Sequence, residues 1–468
     1  MHQTERLLVP VTYGFSVRYL LPTGILDNLK DVCAPVVGLG WDDPQLTALL
    51  EERGHEVIRL PDPLLNHDYR MYRRRLALVH QRRLNSVTST IQRQNPRDTQ
   101  KSLKLRGIAG LRNAIDQLQV RRPGGMEAVE AAEPSMVRAG SNVSDFSEFL
   151  RANRIAAVLS VAPYHDQEGL LLWAARRSGI PSVTSVISFD NPTTRARWLE
   201  RSDRVLVWNS FNADEVLRSY PDLTPDRVEV IGAPQFDLHR RPELVMDVAR
   251  WRKGLEIDDG QPAILYGAGP SSLVPGEAKL VECIDKAISG GQLPGSPVLV
   301  VRRHPNDRPE PWHELGRRLK NSRVVDPWPP GSTAFQAWPS EEDLTNQMSS
   351  LAHSAVHVNV CSSMTLDGAM FDKPQVGPTF VPGADDETQR RIRTFYQQEH
   401  WLPIARSGGL TCAGDESELI AAIRDGLQNP DRLANQRREM ISSVLTWDDG
   451  KSSRRLVDAV AQLGSMPR

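Results

Sequence analysis

Short apolar runs rich in valine and isoleucine recur along the chain, and a stretch with helical spacing follows most of them. Strands of a parallel sheet carry such runs because helices cover both faces of the sheet. The alternation therefore predicts an α/β protein. The runs lie at residues 7–12, 35–39, 56–60, 156–161, 182–187, 204–207 and 228–231, and then at 263–266, 298–301, 323–325, 356–360 and 375–376.

The chain has 468 residues, which is more than one hydrophobic core usually holds, and a polar stretch at 234–260 separates two series of runs. We expect two doubly wound Rossmann-like domains that face each other across a cleft. A (β/α)8 barrel alternates similarly, but the number of runs and the connection argue against it. The expected ranges are 1–236, with a basic helical insertion near 62–145, then 237–445, and a helix in 446–468 that crosses back to the first domain.

The overall charge of −1 gives no reason to expect nucleic acid or a membrane as partner. The cysteines Cys33, Cys283, Cys361 and Cys412 are scattered, without a CxxC pair or a metal-ligand spacing, as is typical of reduced thiols. The N-terminus lacks a signal-peptide pattern, and no apolar stretch is long enough to span a membrane. We therefore expect a cytoplasmic protein.

One stretch, residues 70–122, holds fourteen Lys or Arg residues against two Asp residues, Asp98 and Asp116. Two interpretations stay open. It is a solvated helical face, or it is a basic patch that holds a phosphate-bearing acceptor or the anionic inner face of a membrane. Nucleic acid is disfavoured because aromatic residues for base stacking are few. The small residues of 124–140 suggest a flexible tail.

Three strand ends in the second half carry candidate phosphate ligands. The first loop contains Gly267, Gly269, Ser271 and Ser272, whose small side chains allow a phosphate to approach the backbone. A tight turn from strand to helix explains the same residues.

The second strand delivers Arg302, Arg303 and His304 at its carboxyl end, where open α/β sheets bind ligands. Pro305 holds His304 in an extended conformation. With a diphosphate bound, this imidazole could be protonated and hydrogen-bond the leaving oxygen.

The third strand ends at Ser362 and Ser363, followed by a predicted helix with Thr365 and Asp367 in its first turn. Free N–H groups at a helix start attract anions, although simple capping accounts for the serines as well. Asp367 either complements the helix dipole or hydrogen-bonds a ribose or base.

Taken in order, these motifs resemble the GT-B fold of bacterial surface-polysaccharide enzymes with an "HP" motif and a "serine" motif. That group includes CMP-sialic acid and CMP-Kdo transferases and CDP-glycerol glycerophosphotransferases. The segment 231–237 (IGAPQFD) resembles the GxPxxD link between the two halves, 372–374 (DKP) follows the serines, and 447–455 (WDDGKSSRR) resembles the closing helix.

The resemblance implies a donor nucleotide on the second domain, an acceptor on the first, and no metal or cofactor besides the donor. His304 would contact or protonate the leaving phosphate, and Ser362 and Ser363 would hold phosphate oxygens. Some families of the group use an adjacent acidic pair in the first domain as general base. Asp166 and Glu168 are the nearest counterparts here, with a different spacing, and Asp166 is equally suited to cap the helix that follows.

Two further sets of residues follow strands of the first domain. Asp190 also stands at a strand end and is a third candidate base. The loop after the first strand brings Tyr13, Gly14 and Arg18 to the acceptor side, where Arg18 could grip a phosphate or carboxylate, or simply lie at the surface.

We therefore expect a metal-independent glycosyltransferase that uses a nucleotide-activated sugar, with CMP or CDP favoured over UDP, and a glycan or lipid-linked cell-envelope acceptor. The alternatives are a CDP-glycerol-type glycerophosphotransferase, a nucleotide-sugar 2-epimerase, and a non-catalytic GT-B-like protein that binds a glycan or nucleotide.

Overall fold

The structure is a computed structural model that describes residues 3–94, 103–195, 197–328 and 336–465. The chain divides into two compact units. Unit 1 comprises Met1–Thr12, Gly24–Ile231 and Arg454–Arg468, and unit 2 comprises Tyr13–Thr23 and Gly232–Ser453. Each unit therefore draws on more than one segment of the sequence.

The strands in the described residues follow the predicted runs closely. They are β1 (Arg6–Val11), β2 (Ala34–Leu39), β3 (Glu56–Arg59), β4 (Ala157–Ser160), β5 (Ser182–Ser185), β6 (Arg204–Val207), β7 (Val228–Val230), β8 (Ala263–Gly267), β9 (Val298–Arg302), β10 (Ser322–Val325), β11 (Val356–Asn359), β12 (Gln375–Pro378) and β13 (Leu410–Ala413). Every predicted run is confirmed as a strand, and β13 is the strand that the sequence patterns missed.

Helices separate most of these strands. The α-helices of the described residues are α1 (Gly14–Leu20), α2 (Ile25–Leu29), α3 (Pro44–Glu52), α4 (His67–Leu84), α5 (Val87–Gln94), α6 (Leu103–Arg121), α7 (Gly125–Gly140), α8 (Val143–Ala152), α9 (Asp166–Arg177), α10 (Asn191–Thr194), α11 (Ser210–Ser219), α12 (Val248–Gly254), α13 (Ala278–Ser289), α14 (Pro309–Arg318), α15 (Glu341–His353), α16 (Met364–Met370), α17 (Asp386–Phe395), α18 (Leu402–Ser407), α19 (Glu416–Gln428), α20 (Ala434–Leu445) and α21 (Ser452–Ala461). Short 3-10 helices occupy Pro225–Arg227, Pro234–Arg240, Pro242–Leu244, Glu399–Trp401 and Gln462–Ser465.

Unit 1 is built on a parallel sheet whose described strands run in the order β3-β2-β1-β4-β5-β6-β7. The strand order reverses between β1 and β4, so the loops after these two strands lie side by side. Helices α4, α8 and α9 cover one region of the sheet, where Tyr69, Phe146 and Leu171 are fully buried in one apolar cluster. Loops at such a reversal are the usual ligand-binding place of doubly wound sheets.

Unit 2 has a second parallel sheet, with described strands in the order β10-β9-β8-β11-β12-β13. Its reversal lies between β8 and β11. The missed strand β13 is at the edge of this sheet, and Thr411 and Cys412 in it are partly or fully exposed. An edge strand lacks the continuous apolar run by which the buried strands are recognised, which explains why it was missed.

Helices α4 to α7 occupy the stretch in which the sequence predicts a helical insertion, and residues 95–102 of the basic stretch lie outside the described residues. The prediction of a flexible tail over 124–140 is wrong, because α7 spans Gly125–Gly140. Val137 of α7 is fully buried against Tyr69 and Tyr72 of α4, so tertiary packing holds this helix in place. Small residues did not signal flexibility here.

The polar stretch 234–260, which the sequence suggested as a connection, belongs to the body of unit 2. Leu238, Trp251 and Ile257 are buried in one cluster with Leu265 of β8 and Val300 of β9. This stretch is therefore part of a core and not a free linker.

The GxPxxD-like segment has a defined structural task in unit 2. Gly232 has a left-handed φ of 82°, and a Cβ at this position would meet the Ser452 hydroxyl at 2.5 Å. Asp237 accepts hydrogen bonds from the backbone N–H groups of Ser452 (3.1 Å) and Ser453 (2.7 Å) at the start of α21. The aspartate thus caps the closing helix, since the first N–H groups of a helix lack partners within it.

Candidate functional site

The three strand ends that the sequence singled out belong to three adjacent strands of unit 2. In the parallel register, Gly267 at the end of β8 is paired with Arg302 of β9 on one side and with Asn359 of β11 on the other. The loops after these strands start side by side at the reversal of strand order. This position is where doubly wound sheets bind nucleotides and other ligands.

The loop after β8 is shaped by a buried carboxyl group. The N–H of Gly269 donates to both carboxyl oxygens of Glu277, at 3.1 and 2.9 Å, and the hydroxyl of Tyr266 donates to the same group at 3.0 Å. Burial raises the pKa of Glu277 to about 8. A Cβ on Gly267 would lie 2.4 Å from the Met364 sulfur, so a larger residue here would require the Met364 side chain to move. The loop packs tightly against its neighbours. The Gly269 N–H already donates to Glu277, so it is not available to a phosphate.

The serines of this loop differ in their surroundings. Ser271 is exposed, and its N–H and hydroxyl donate to Asp307 at 2.9 and 3.0 Å. Ser272 is exposed as well, and its carbonyl accepts from Arg391 at 2.9 Å. An incoming phosphate would therefore compete with Asp307 for Ser271.

Arg302 is buried at the end of β9, with 5% of its surface exposed. Its guanidinium donates to the carbonyl of Pro327 (3.1 Å) and to the side-chain oxygen of Gln347 (3.4 Å). No carboxylate among the described residues forms an ion pair with it, and the undescribed stretch 329–335 contains no Asp or Glu. Burial, together with the nearby charge of Arg18, lowers the pKa of Arg302 to about 10, and the carboxylates of Asp343 and Asp367 oppose this shift without forming an ion pair with Arg302. The group remains a cation at neutral pH.

Arg303 has a different environment, although it is the next residue. It forms an ion pair with Asp326 and donates to the carbonyls of His304 (3.2 Å) and Asp307 (2.9 Å). These contacts hold the loop after β9 in shape. The structure therefore gives Arg303 a scaffolding position, and of the two arginines Arg302 lacks a counter-ion.

His304 is half-buried in this loop, beside Pro305. Its Nδ1 accepts a hydrogen bond of 3.1 Å from the N–H of Asn306, so the neutral ring carries its proton on Nε2. Burial lowers the pKa of His304 to about 4, Asp307 opposes this shift and Arg303 adds to it. The ring is thus a neutral hydrogen-bond donor at pH 7 unless a bound anion changes its pKa.

The loop after β11 is organised by Asn359, which the sequence analysis did not single out. Its side-chain oxygen accepts from the Ser362 N–H (3.1 Å) and the Thr365 hydroxyl (2.9 Å), and Thr365 is fully buried. Ser363 is the exposed N-cap residue of α16 and makes no side-chain cap hydrogen bond. Of the predicted residues here, Ser363 is therefore the one turned outward.

Asp367 is buried in the first turn of α16, next to a histidine that the motifs did not indicate. The Nε2 of His239 lies 3.0 Å from a carboxylate oxygen of Asp367, and the His239 ring stacks on Phe236. The contact with His239 thus explains the aspartate at position 367 through packing within unit 2, without a ligand. His239 follows the GxPxxD-like segment by two residues but was not recognisable as a partner, because the contact joins distant parts of the sequence.

Tyr13, Gly14 and Arg18, expected on the acceptor side, lie in the segment Tyr13–Thr23 that is grouped with unit 2. Gly14 starts α1, and a Cβ there would meet the Ala337 carbonyl oxygen at 1.8 Å, so the backbones touch. Tyr13 is buried, while Arg18 is half-buried with its Nε making no hydrogen bond to a described residue. The structure thus brings Arg18 into the surroundings of Arg302.

In unit 1, Glu168 is fully buried at the reversal of the sheet. It accepts hydrogen bonds from the hydroxyls of Thr12 and Ser160, both at 2.6 Å, and from the N–H groups of Val161 (3.1 Å) and Ala162 (2.8 Å). Burial raises its pKa, and the four donors oppose that shift. These bonds tie the ends of β1 and β4 together, a positioning task.

The other two candidate bases are also engaged. Asp166 opens α9 and forms an ion pair with Arg73 of α4, with 40% of its side chain exposed. Asp190 accepts from the hydroxyls of Ser188 and Thr194, the latter at 2.7 Å. The carboxylate of Asp166 is thus partly exposed to solvent and paired with the guanidinium of Arg73.

His165 stands beside these residues, and the sequence patterns did not single it out. Its Nδ1 lies 2.9 Å from the Thr12 hydroxyl, which already donates its proton to Glu168. Thr12 must therefore accept from Nδ1–H, and the lone pair of the neutral ring lies on Nε2. Burial lowers the pKa of His165 to about 4. A Glu-Thr-His chain of hydrogen bonds adds a fourth candidate base.

Two other kinds of site are absent from the described part of the chain. No group of three His, Cys, Asp or Glu side chains is placed to hold a metal ion. Every helix there is too short or too polar to cross a membrane.

Residues 351–462 match the family model of the CDP-glycerol:poly(glycerophosphate) glycerophosphotransferases. The matched stretch contains the loop after β11 with Ser362, Ser363, Thr365 and Asp367. No curated protein sequence matches the chain. The family match agrees with the resemblance seen in the motifs, over about the last quarter of the chain.

Solved structures resemble the chain over nearly its whole length. The UDP complex of Staphylococcus aureus MnaA has a TM-score of 0.57 at 12% identity, with 99% of this chain and 98% of that chain covered. The UDP-GlcNAc 2-epimerase of Neisseria meningitidis bound to UDP-GlcNAc has 0.54 at 11%, covering 98% and 100%. A glycosyltransferase from Rickettsia africae has 0.50 at 11%, covering 99% and 100%. Together with the two parallel-sheet units, these likenesses confirm the predicted GT-B fold.

Proposed function

We propose that this chain is a transferase that binds a nucleotide-activated donor at the ends of β8, β9 and β11 in unit 2. The observation that carries the proposal is Arg302, a buried guanidinium without a carboxylate partner among the described residues, with Arg18 close by. Both cations stand where a doubly wound sheet binds its ligand.

A buried charge without a counter-ion costs several kcal/mol relative to water, so proteins keep one only where something compensates it. The diphosphate of a donor supplies negative charge, and a guanidinium binds phosphate oxygens in a two-pronged geometry. A bound diphosphate would therefore neutralise Arg302 and Arg18 together. The solved structures of MnaA with UDP and of the Neisseria meningitidis epimerase with UDP-GlcNAc support this choice of ligand by analogy of fold.

The reaction that we favour is glycosyl transfer to a glycan or lipid-linked cell-envelope acceptor, with CMP or CDP as the leaving nucleotide preferred over UDP. The acceptor hydroxyl loses its proton to a base, its oxygen forms a bond with the anomeric carbon of the sugar, and the bond between the sugar and the phosphate breaks. His304 donates a hydrogen bond from Nε2 to the leaving phosphate, which the cations stabilise without a metal. No cofactor besides the donor is required.

A second function, glycerophosphate transfer from CDP-glycerol, is favoured by the family match at 351–462. In that reaction the acceptor hydroxyl attacks the phosphorus next to the glycerol, and CMP leaves. Unit 2 would hold the same diphosphate. The two reactions differ in their products: supplied with CDP-glycerol the chain would release CMP, and supplied with a nucleotide sugar it would release a sugar-bearing acceptor.

The donor site is tested by thermal shift with CMP, CDP, UDP, GDP and dTDP, because a ligand that binds the native state raises the melting temperature. We expect nucleoside diphosphates to raise it in the wild type and to lose this effect in Arg302→Met. Arg318→Met removes an exposed arginine of the same unit, with 61% of its side chain exposed, and should respond like the wild type.

An equal response of Arg302→Met and the wild type would overturn the proposed donor site. Nucleotide binding without turnover of any donor would favour a non-catalytic role, and conversion of a nucleotide sugar without an acceptor would favour an epimerase. We further propose that the protein works in the cytoplasm and contacts the inner face of the membrane through the basic insertion.

A further inference from the structure

A carboxylate lies between the loops after β8 and β9 in unit 2, next to the proposed donor site. One oxygen of Asp307 accepts from the N–H (2.9 Å) and the hydroxyl (3.0 Å) of Ser271, and the other accepts from the indole N–H of Trp312 (3.2 Å). Ser271 follows β8, Asp307 follows β9, and Trp312 is in α14. The carboxylate therefore ties the two loops together through uncharged donors.

Asp307 has no cationic partner among the described residues, although two arginines are close to it in the sequence. Arg303 pairs with Asp326, and its guanidinium contacts Asp307 only at the backbone carbonyl, at 2.9 Å. Arg308 pairs with Glu310. The side chain of Asp307 thus keeps a negative charge that no ion pair compensates, and the residue is partly exposed.

The charge of Asp307 acts on the imidazole that is proposed to contact the leaving phosphate. Asp307 favours the protonated form of His304 and so opposes the effect of burial, which lowers the pKa of that ring to about 4. The backbone N–H of Asp307 also donates to the carbonyl of His304 at 3.0 Å. A phosphate that accepts from Nε2 of His304 would therefore bind within electrostatic reach of a carboxylate.

Both reactions proposed above change the charge of the phosphate that leaves. In the donor this phosphate is linked on two sides and carries one negative charge. When the bond to the sugar breaks, or the bond between the two phosphates of CDP-glycerol, the oxygen of that bond stays with the leaving nucleotide. Its phosphate becomes terminal and carries a charge of about −1.5 to −2 at pH 7. A nearby carboxylate therefore repels the spent nucleotide more strongly than the intact donor, since Coulomb energy is proportional to charge.

We infer that Asp307 makes the site prefer the intact donor to the spent nucleotide, and so assists release of the product. The inference rests on the proposed donor site, because it assigns a specificity-determining side chain to that site. It applies to either reaction, since the leaving nucleotide gains negative charge in both. The hydrogen bonds to Ser271 and Trp312 give Asp307 a second task as a tether between the loops, and an asparagine keeps a tether without the charge.

Calorimetric titration of the full chain with donor and spent nucleotide in matched pairs tests the inference. The pairs are CDP-glucose with CDP, UDP-GlcNAc with UDP, and CDP-glycerol with CMP. Asp307→Asn keeps a side-chain oxygen that accepts from Ser271 and removes the charge. We expect it to tighten binding of the spent nucleotide about tenfold and binding of the donor about threefold, because the terminal phosphate carries the larger charge.

Glu310→Gln is the matched control for a general effect of charge. Glu310 is close to Asp307 in the sequence, 67% of its side chain is exposed, and it pairs with Arg308. Its replacement also removes one negative charge from this part of unit 2, but not from the contact with Ser271. The ratio of the two affinities within each pair should therefore stay as in the wild type.

Equal changes of donor and spent-nucleotide affinity in Asp307→Asn would overturn the inference. A shift of the ratio in Glu310→Gln as large as that in Asp307→Asn would overturn it too, because it would indicate a general effect of charge. Asp307→Ala removes the tether as well as the charge. A ratio that shifts in Asp307→Ala but not in Asp307→Asn would assign the preference to the tether and contradict the inference.

Failure of the inference and failure of the proposed donor site give different results. If Arg302→Met loses binding of both members of a pair while Asp307→Asn changes both affinities equally, the donor site stands and the inference fails. If Asp307→Asn shifts the ratio while Arg302→Met binds both members like the wild type, the charge of Asp307 selects the donor without Arg302, and the donor site as proposed fails. Absence of binding to the wild type and to Asp307→Asn for all three pairs would overturn both.

Discussion

Two adjacent arginines show how much a single residue's role depends on its partner. Successive side chains of a strand point to opposite faces, so Arg302 and Arg303 meet different neighbours at the end of β9. Arg303 finds Asp326, which follows the neighbouring strand β10, whereas Arg302 is buried against a carbonyl and an amide. The sequence placed both residues at a ligand-binding strand end. It could not tell which of the two arginines lacks an ion pair with a carboxylate.

At the same scale, His304 is expected to act as a neutral donor. Its pKa of about 4 leaves the ring uncharged at pH 7, with the proton on Nε2. His304→Ala should lower kcat about tenfold to a hundredfold through loss of one hydrogen bond to the leaving phosphate. His304→Gln, which retains an N–H donor, should recover part of that loss.

The pH–rate profile decides between this role and proton donation. A neutral donor works throughout pH 6–9. The rates of the wild type and of His304→Gln should therefore change with pH in the same way over this range. If instead the rate falls with rising pH in the wild type but not in His304→Gln, the imidazolium is the active form and the bound donor raises its pKa.

Among the elements, helix α6 carries an exposed apolar stripe. Leu111, Ile115 and Leu118 are 66%, 45% and 69% exposed and lie at helical spacing on one side. Arg121 and Arg122 at its end are exposed as well. Apolar side chains flanked by cations are typical of helices that lie in the interface of an anionic membrane.

We predict that Leu111→Gln/Leu118→Gln reduces co-sedimentation with phosphatidylglycerol vesicles. Leu64→Gln is the control, because Leu64 is 65% exposed but lies outside the helix. Binding should fall with added salt and be weak on phosphatidylcholine vesicles, since surface electrostatic attraction is screened. Equal binding to both lipids at all salt concentrations would exclude this role for α6.

The strands and helices also show which parts of the fold can be predicted from sequence patterns and which cannot. Continuous apolar runs are read reliably because a strand buried on both faces needs them, and so β8, β9 and β11 were found with their loops. The edge strand β13 and helix α7 were not, because an exposed edge and tertiary packing against α4 determine them. Two contacts were missed as well. The pair of His239 and Asp367 joins elements that are distant in the sequence, and Glu277 contacts Gly269 only because the loop after β8 folds back on itself.

For the whole molecule, buried histidines predict sensitivity to acid. His80 in unit 1 and His357 in unit 2 are buried, and burial lowers the pKa of each to about 3. Their folded pKa lies below the unfolded value, so the neutral form is favoured by folding. The stability they contribute is complete above about pH 6.5 and is lost as the pH falls.

From pH 7 to pH 5 each such histidine should cost about 2 kcal/mol of unfolding free energy. His80→Gln should reduce this loss in unit 1, measured by hydrogen exchange of peptides from that unit. Glu277 in unit 2 acts in the opposite direction. Its pKa of about 8 means that its contribution is complete below about pH 4.5 and is lost as the pH rises towards 8.

Burial raises the pKa of Glu168 in unit 1 as well, so each unit combines a buried histidine that acid destabilises with a buried carboxyl group that opposes this loss. Glu277→Gln should remove the compensation and make unit 2 more sensitive to acid than it is in the wild type. An unchanged difference between the units in Glu277→Gln would show that its carboxyl group does not titrate as the structure implies.

The short segment Tyr13–Thr23 has a consequence for the order in which the chain can fold during synthesis. It belongs to unit 2, whose remaining residues begin at Gly232, while unit 1 is completed only by residues from Arg454 onward. A ribosome-bound chain thus carries α1 for the time needed to add more than two hundred residues before the rest of unit 2 is made, and the last segment of unit 1 is made after unit 2. Splitting the gene at residue 232 would give two fragments that each lack a piece held by the other, and the C-terminal fragment would lack Arg18.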